Sequence, residues 1–155
     1  MNRINYYLII IFFVFVFASC DDTYHSSIPD YPVYLEINLA TAPYTILKTS
    51  SLKYFTFKDG ITVTDRIGYG GIFVCTGFDG TIYAFDMSCP VEASRSVLVY
   101  PPENKDNYIG QLTCEKCGSV FDIGYGVGNP SKGAAKEALK RYKVNLSGNM
   151  LYITR

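Results

Sequence analysis

Apolar residues recur at every second position in several short runs of this chain, and that period restricts what it can fold into. Val33, Leu35, Ile37 and Leu39 alternate with Tyr34, Glu36 and Asn38, the pattern of a strand with one face in a core and the other in water. Residues 53–58 (KYFTFK) form a second such run. Residues 72–76 and 81–86 flank Gly77-Phe78-Asp79-Gly80, where Asp-Gly supplies the backbone freedom of a hairpin turn. Tyr142, Val144 and Leu146 alternate before Ser147-Gly148-Asn149, and residues 151–154 return. Only residues 132–139 (KGAAKEAL) have helix-forming composition, and they are too few to make a layer. The expected fold is all-β, a small sandwich or barrel of short antiparallel strands, because such strands bury their apolar faces only against another sheet.

The N-terminus obeys a different rule. Residues 6–18 (YYLIIIFFVFVFA) are thirteen consecutive apolar or aromatic residues behind Arg3. That length suits the hydrophobic region of an export signal and falls short of the roughly 20 residues of a membrane-spanning helix. The run ends in Phe17-Ala18-Ser19-Cys20, which resembles the lipobox of bacterial lipoproteins. The resemblance implies cleavage before Cys20 and a lipid on its sulfur, each buried methylene adding about 0.8 kcal/mol of membrane affinity. The expected division is a signal over 1–19, a lipidated tether over 20–30 and a β domain over 31–155. The lipoprotein resemblance makes the expected location the outer membrane of a bacterial envelope, facing the periplasm or the cell surface; Asp21 and Asp22, directly after the anchor cysteine, resemble the surface-sorting signal of some envelope lipoproteins.

Several functions are disfavoured. Fourteen Lys plus Arg balance fourteen Asp plus Glu, so no net charge draws the chain to a phosphate backbone and no nucleic-acid partner is expected. His25, the single histidine, lies in the tether and supports no imidazole-based catalysis. No G-x-S-x-G, phosphate loop or paired-carboxylate pattern occurs, so an independent enzyme is not expected. Lys132, Lys136, Lys140, Arg141 and Lys143 form a mild basic strip, read as a solvated face.

The remaining chemistry lies in the five cysteines. Cys114-Glu115-Lys116-Cys117-Gly118 joins a strand-like 109–113 to another at 120–122, a knuckle that points two sulfurs at one place. Cys89-Pro90 adds a third sulfur after the hairpin strand. Cys75, inside the strand 72–76, is expected in the core.

From Gly70-Gly71-Ile72 through Asp79-Gly80-Thr81 to Cys89-Pro90-Val91, and again from Cys114 through Gly118-Ser119-Val120-Phe121-Asp122 to Gly124 and Pro130, the chain resembles the Rieske iron-sulfur domain family. The resemblance covers most of residues 60–155 and implies a Rieske-like fold with cluster-type loops at 87–93 and 112–122. In that family C-x-H and C-x-x-H loops hold a [2Fe-2S] cluster, two sulfurs on one iron and two imidazoles on the other. Cys89 and Cys114 match the cysteine ligands, but Val91 and Cys117 stand where the histidines belong. Valine has no donor atom; Glu92 is a possible substitute ligand. Residues 97–107 read as an inserted excursion. Arg3 has no arginine neighbour, so folded export on a twin-arginine signal is not expected and a cluster would have to be assembled outside.

The resulting expectation is a membrane-anchored lipoprotein whose degenerate Rieske-like domain is a clusterless binding or structural module, with no cofactor and with an envelope protein as partner. Cys89 to Cys114 or Cys89 to Cys117 would then form a disulfide, worth roughly 3 kcal/mol for a loop of about 25 residues. The alternatives are an electron carrier with a [2Fe-2S] cluster or another metal on Cys89, Cys114 and Cys117, and a thiol-disulfide module using Cys114 and Cys117. For the anchor, Cys20→Ala is expected to abolish incorporation of labelled palmitate and to leave the precursor uncleaved; mass spectrometry of the membrane fraction checks both.

Overall fold

The structure, a computed structural model, describes residues 26–50, 52–102 and 110–155; the signal, Cys20 and His25 lie outside the described residues. The elements run β1 (Val33–Asn38), α1 (Ile46–Thr49), β2 (Tyr54–Phe57), β3 (Arg66–Ile67), β4 (Ile72–Thr76), β5 (Ile82–Asp86), β6 (Val99–Tyr100), β7 (Gln111–Cys114), β8 (Val120–Asp122), β9 (Asn129–Lys132), β10 (Arg141–Ser147) and β11 (Met150–Thr154). A seven-stranded sheet has the order β2-β4-β5-β10-β11-β1-β3, and a four-stranded sheet the order β6-β7-β8-β9. The fold is all-β and antiparallel, as the alternation requires.

β4 and β5 are the middle of the molecule. All five β4 residues are buried, and their side chains divide by parity between two cores. Ile72 and Val74, with Ala84 of β5, face Leu35, Ile37, Leu151 and Ile153 of β1 and β11. Phe73 and Cys75, with Tyr83 and Phe85, face Val99, Leu112, Cys114 and Phe121 of the small sheet. Each fully buried Ile, Leu, Val or Phe side chain among them contributes about 1.5–3 kcal/mol relative to exposure. The large sheet wraps the first core because β10 serves two neighbours: Arg141 and Tyr142 pair with β5, whereas residues 143–147 pair with β11. A strand that changes partners along its length turns a sheet corner.

A buried carboxylate fixes that corner. Asp86, at the end of β5 and fully buried, accepts the N–H groups of Tyr69 (2.9 Å), Gly70 (3.1 Å) and Ser88 (2.7 Å) and the Tyr142 hydroxyl (2.5 Å). Four donors around one carboxylate offset its loss of water.

Three expectations from the sequence change. Residues 132–139 form no helix: Gly133 has φ +89°, and the N–H groups of Ala135 and Leu139 go to Ser119 Oγ and the Gly128 carbonyl instead of a helical ladder. Residues 97–100 are no excursion, because Cys89 N–H donates to Val97 O (3.1 Å), Val99 N–H to Met87 O (2.8 Å), and Val99 is fully buried. The described end of the tether, 26–30, docks on the domain: Ile28 is buried, and Lys140 Nζ donates to Ile28 O (3.0 Å), Pro29 O (3.1 Å) and Asp30 Oδ1 (2.6 Å). Lys140 therefore leaves the solvated basic strip.

Burial and the adjacent Asp86 charge push the Tyr142 hydroxyl far above its usual value of 10.0. A raised folded-state value means stability that is fully present below about pH 10 and lost as the pH rises beyond it, where the unfolded tyrosine ionises. Tyr142→Phe is expected to cost about 1.5–3 kcal/mol at neutral pH and to flatten this alkaline loss; denaturant midpoints at pH 7 and pH 11 check it.

Candidate metal centre

The second core ends at a cluster of sulfur. Cys89 lies just beyond β5, beside an isolated bridge between Ser88 and Leu98; Cys114 closes β7; Cys117 lies in the turn to β8. Their Sγ atoms all lie within 4.8 Å of one another, and Cys89 Sγ is 3.5 Å from Cys117 Sγ. Cys89 and Cys114 are wholly buried and Cys117 is half-buried.

The knuckle is built by the backbone. Gly118 N–H donates to Cys114 O and Cys114 N–H to Ser119 O, both at 2.9 Å, which requires a reversal at Gly118, φ +68°. Ser119, fully buried, braces it: Cys117 Sγ lies 3.2 Å from Ser119 Oγ, which also accepts the Ala135 N–H at 3.0 Å. Gly133 packs directly on Ser119, where an added Cβ would meet Ser119 Cα at 2.5 Å. On the other loop, the N–H groups of Glu92 (3.2 Å) and Ala93 (2.9 Å) donate to the Cys89 carbonyl and close the turn after it.

Burial pushes the Cys89 thiol up to about 12. Burial acts in the same direction on Cys117, but hydrogen bonds from the Ser119 hydroxyl and N–H and from the neighbouring thiols outweigh it and hold Cys117 below the usual thiol value. Thiolate is the form that ligates metal or attacks a disulfide, and hydrogen bonds to sulfur stabilise either use.

The other expected site residues part from the sulfurs. Val91 is 42% exposed. The Glu92 carboxylate pairs with Lys116 Nζ at 2.5 Å, joining the two cysteine loops; this contact raises the Lys116 ammonium, first through the hydrogen bond and then through the charge of Glu92. Cys75 is buried in β4 with Phe73 and Tyr83 in the same core. The expected disulfide is not formed: Cys89, Cys114 and Cys117 carry free thiols, and 3.5 Å is well beyond the about 2.05 Å of an S–S bond. Nothing local in the sequence singles out Lys116; for Ser119 the available signal is the Gly-Ser step after Cys117. A groove of about 570 Å³ beside Ile28 and Arg155 offers no rival centre, since Lys140 and Arg155 there both pair with Asp30.

A [2Fe-2S] cluster needs four protein donors, two on each iron; among the described residues the site gathers three. Donors on different irons also stand further apart than donors on one. Cys117, which the sequence resemblance assigns to the outer iron, is 3.5 Å from Cys89, a same-ion spacing: two sulfurs bonded at about 2.3 Å with a tetrahedral angle lie roughly 3.8 Å apart. The residues present do not fit the two-iron group.

No protein-family model matches the chain, and no curated protein matches it. Among solved structures it is similar to one described as a complex of reduced oxygenase and oxidized ferredoxin in carbazole 1,9a-dioxygenase, at 14% identity and TM-score 0.47, over 79% of this chain and 93% of that one. It is also similar to the ferredoxin of carbazole 1,9a-dioxygenase from Nocardioides aromaticivorans IC177, at 16% identity and TM-score 0.46, over 79% and 96%. A third is Sphingomonas yanoikuyae B1 ferredoxin, at 16% identity and TM-score 0.44, over 68% and 88%.

Two alanine substitutions separate backbone strain from close packing. Gly118→Ala meets no atom within 4 Å and is expected to cost about 1–2 kcal/mol through its positive φ alone. Gly133→Ala adds a collision with the Ser119 backbone and is expected to cost clearly more and, by moving the Ser119 hydroxyl away from Cys117, to slow the reaction of Cys117 with a thiol reagent; chemical denaturation and timed alkylation check the pair.

Proposed function

We propose that this protein is a membrane-tethered, non-enzymatic envelope lipoprotein whose β domain is a metal-thiolate module, with Cys89, Cys114 and Cys117 as ligands. The convergence of three sulfurs within 4.8 Å carries the reading. A structural module without metal has no need to place three thiols together at the end of a core, where burial raises Cys89 and a simple apolar residue would pack without that cost. The tether reading rests on the residue 6–18 run and Cys20, and places the module at an envelope membrane with an envelope protein as its partner.

Two other readings remain as outcomes of the same experiment. Electron transfer through a [2Fe-2S] cluster is favoured by the two buried cysteines on neighbouring loops and opposed by the lack of a fourth donor among the described residues. A stapled, metal-free module is opposed by the 3.5 Å between Cys89 and Cys117, which would have to close to a bond, releasing two protons and two electrons to an external oxidant such as a partner disulfide. A dedicated thiol-disulfide catalyst is opposed by the turn and β8 on the C-terminal side of Cys117, which supply no helix N-terminus to activate the thiol.

The full chain, extracted from membranes in detergent, is expected to carry metal by mass-spectrometric elemental analysis and to lose it in Cys117→Ser. Two fewer titratable thiols and no metal would instead identify the stapled module, and two irons with two acid-labile sulfides the electron carrier.

A further inference from the structure

We infer that the centre holds a single divalent ion of the zinc type on three thiolates, with its fourth coordination position open to an external donor. The inference rests on the metal-thiolate reading above and adds nuclearity, metal class and an exchangeable ligand. Nuclearity comes from spacing. Three mutual separations within 4.8 Å, that of Cys89 and Cys117 being 3.5 Å, surround one ion with bonds of about 2.3 Å.

Metal class comes from the donors and the charge. Among the described residues the donor set is all thiolate, the single histidine of the chain, His25, lying outside them; soft sulfur ligands select zinc, copper(I) or iron over magnesium or calcium. Three thiolates on a divalent ion leave one net negative charge, whereas a monovalent ion leaves two, and Cys89 and Cys114 are fully buried. Uncompensated buried charge is costly. The countercharge at hand is modest: the Ser119 hydroxyl at Cys117 and the Lys116 ammonium, which already shares its charge with Glu92. That supply suits one residual charge better than two.

The open position comes from the count of donors among the described residues. A zinc ion takes four ligands, and a site with three protein ligands keeps the fourth for water or an incoming donor. Glu92 has its carboxylate on Lys116 at 2.5 Å, and Val91 offers no donor atom. The accessible side is that of Cys117, the one ligand not wholly buried.

Cobalt(II) is the probe. The detergent-solubilised full chain, stripped of metal and kept reduced under anaerobic conditions, is titrated with Co(II). One ion per chain is expected, with sulfur-to-metal charge-transfer bands and the intense visible bands of a tetrahedral site. Adding imidazole is expected to shift the visible bands as it replaces water at the fourth position. Cys117→Ser is expected to weaken Co(II) binding more than about 100-fold, with the metal-free melting temperature near that of the parent, since Cys117 is only half-buried. Weak octahedral bands, or 1:1 binding that ignores imidazole, would overturn the inference. Reconstitution with iron and sulfide to two irons per chain would overturn it while leaving the metal-thiolate reading standing. Absence of any metal binding by the reduced chain would remove both.

Discussion

The two-sided burial of β4 and β5 is the constraint on which everything else rests. A strand pair that is apolar on both faces cannot lie at a surface, so it requires a layer on each side. One layer is the return of the same sheet through β10, and the other is the four-stranded sheet. The second layer exists in this position because Phe73, Tyr83 and Phe85 need cover, and it is this layer that carries Cys114 and Cys117 to the end of β5. The sulfur cluster is thus a product of packing as much as of local sequence.

This dependence explains which parts of the fold are legible in the sequence. Alternation identifies β1, β2, β10 and β11, and the Asp-Gly turn identifies the β4–β5 hairpin, because those signals are local. β3 and β6, at two residues each, are too short to show a period. β9 reads as a turn from Asn129-Pro130-Ser131, yet an edge position lets a strand carry proline. The KGAAKEAL segment has helical propensity, and tertiary demands override it: Ser119 needs a backbone donor, and Gly133 must approach Ser119 closely.

The site is legible in its sulfurs and hidden in its supports. Cys89, Cys114 and Cys117 stand out by residue type, spacing and resemblance. Ser119, the Lys116–Glu92 pair and the Asp86 donors are contacts between segments distant in the chain, so their roles appear only after the loops are brought together. The disulfide expected from the resemblance, which brings these cysteine loops together, fails on distance: the Cys89 and Cys117 sulfurs stay 3.5 Å apart.

The graded burial of the three sulfurs has a kinetic side. Cys89 and Cys114 are sealed by the second core, while Cys117 sits on a short turn that reaches solvent. A competing chelator, an oxidant or a partner's donor atom therefore meets Cys117 first. For an ion held on the proposed thiolates, exchange would begin at that outermost bond, and the two inner sulfurs would set how strongly the ion is recaptured before it escapes.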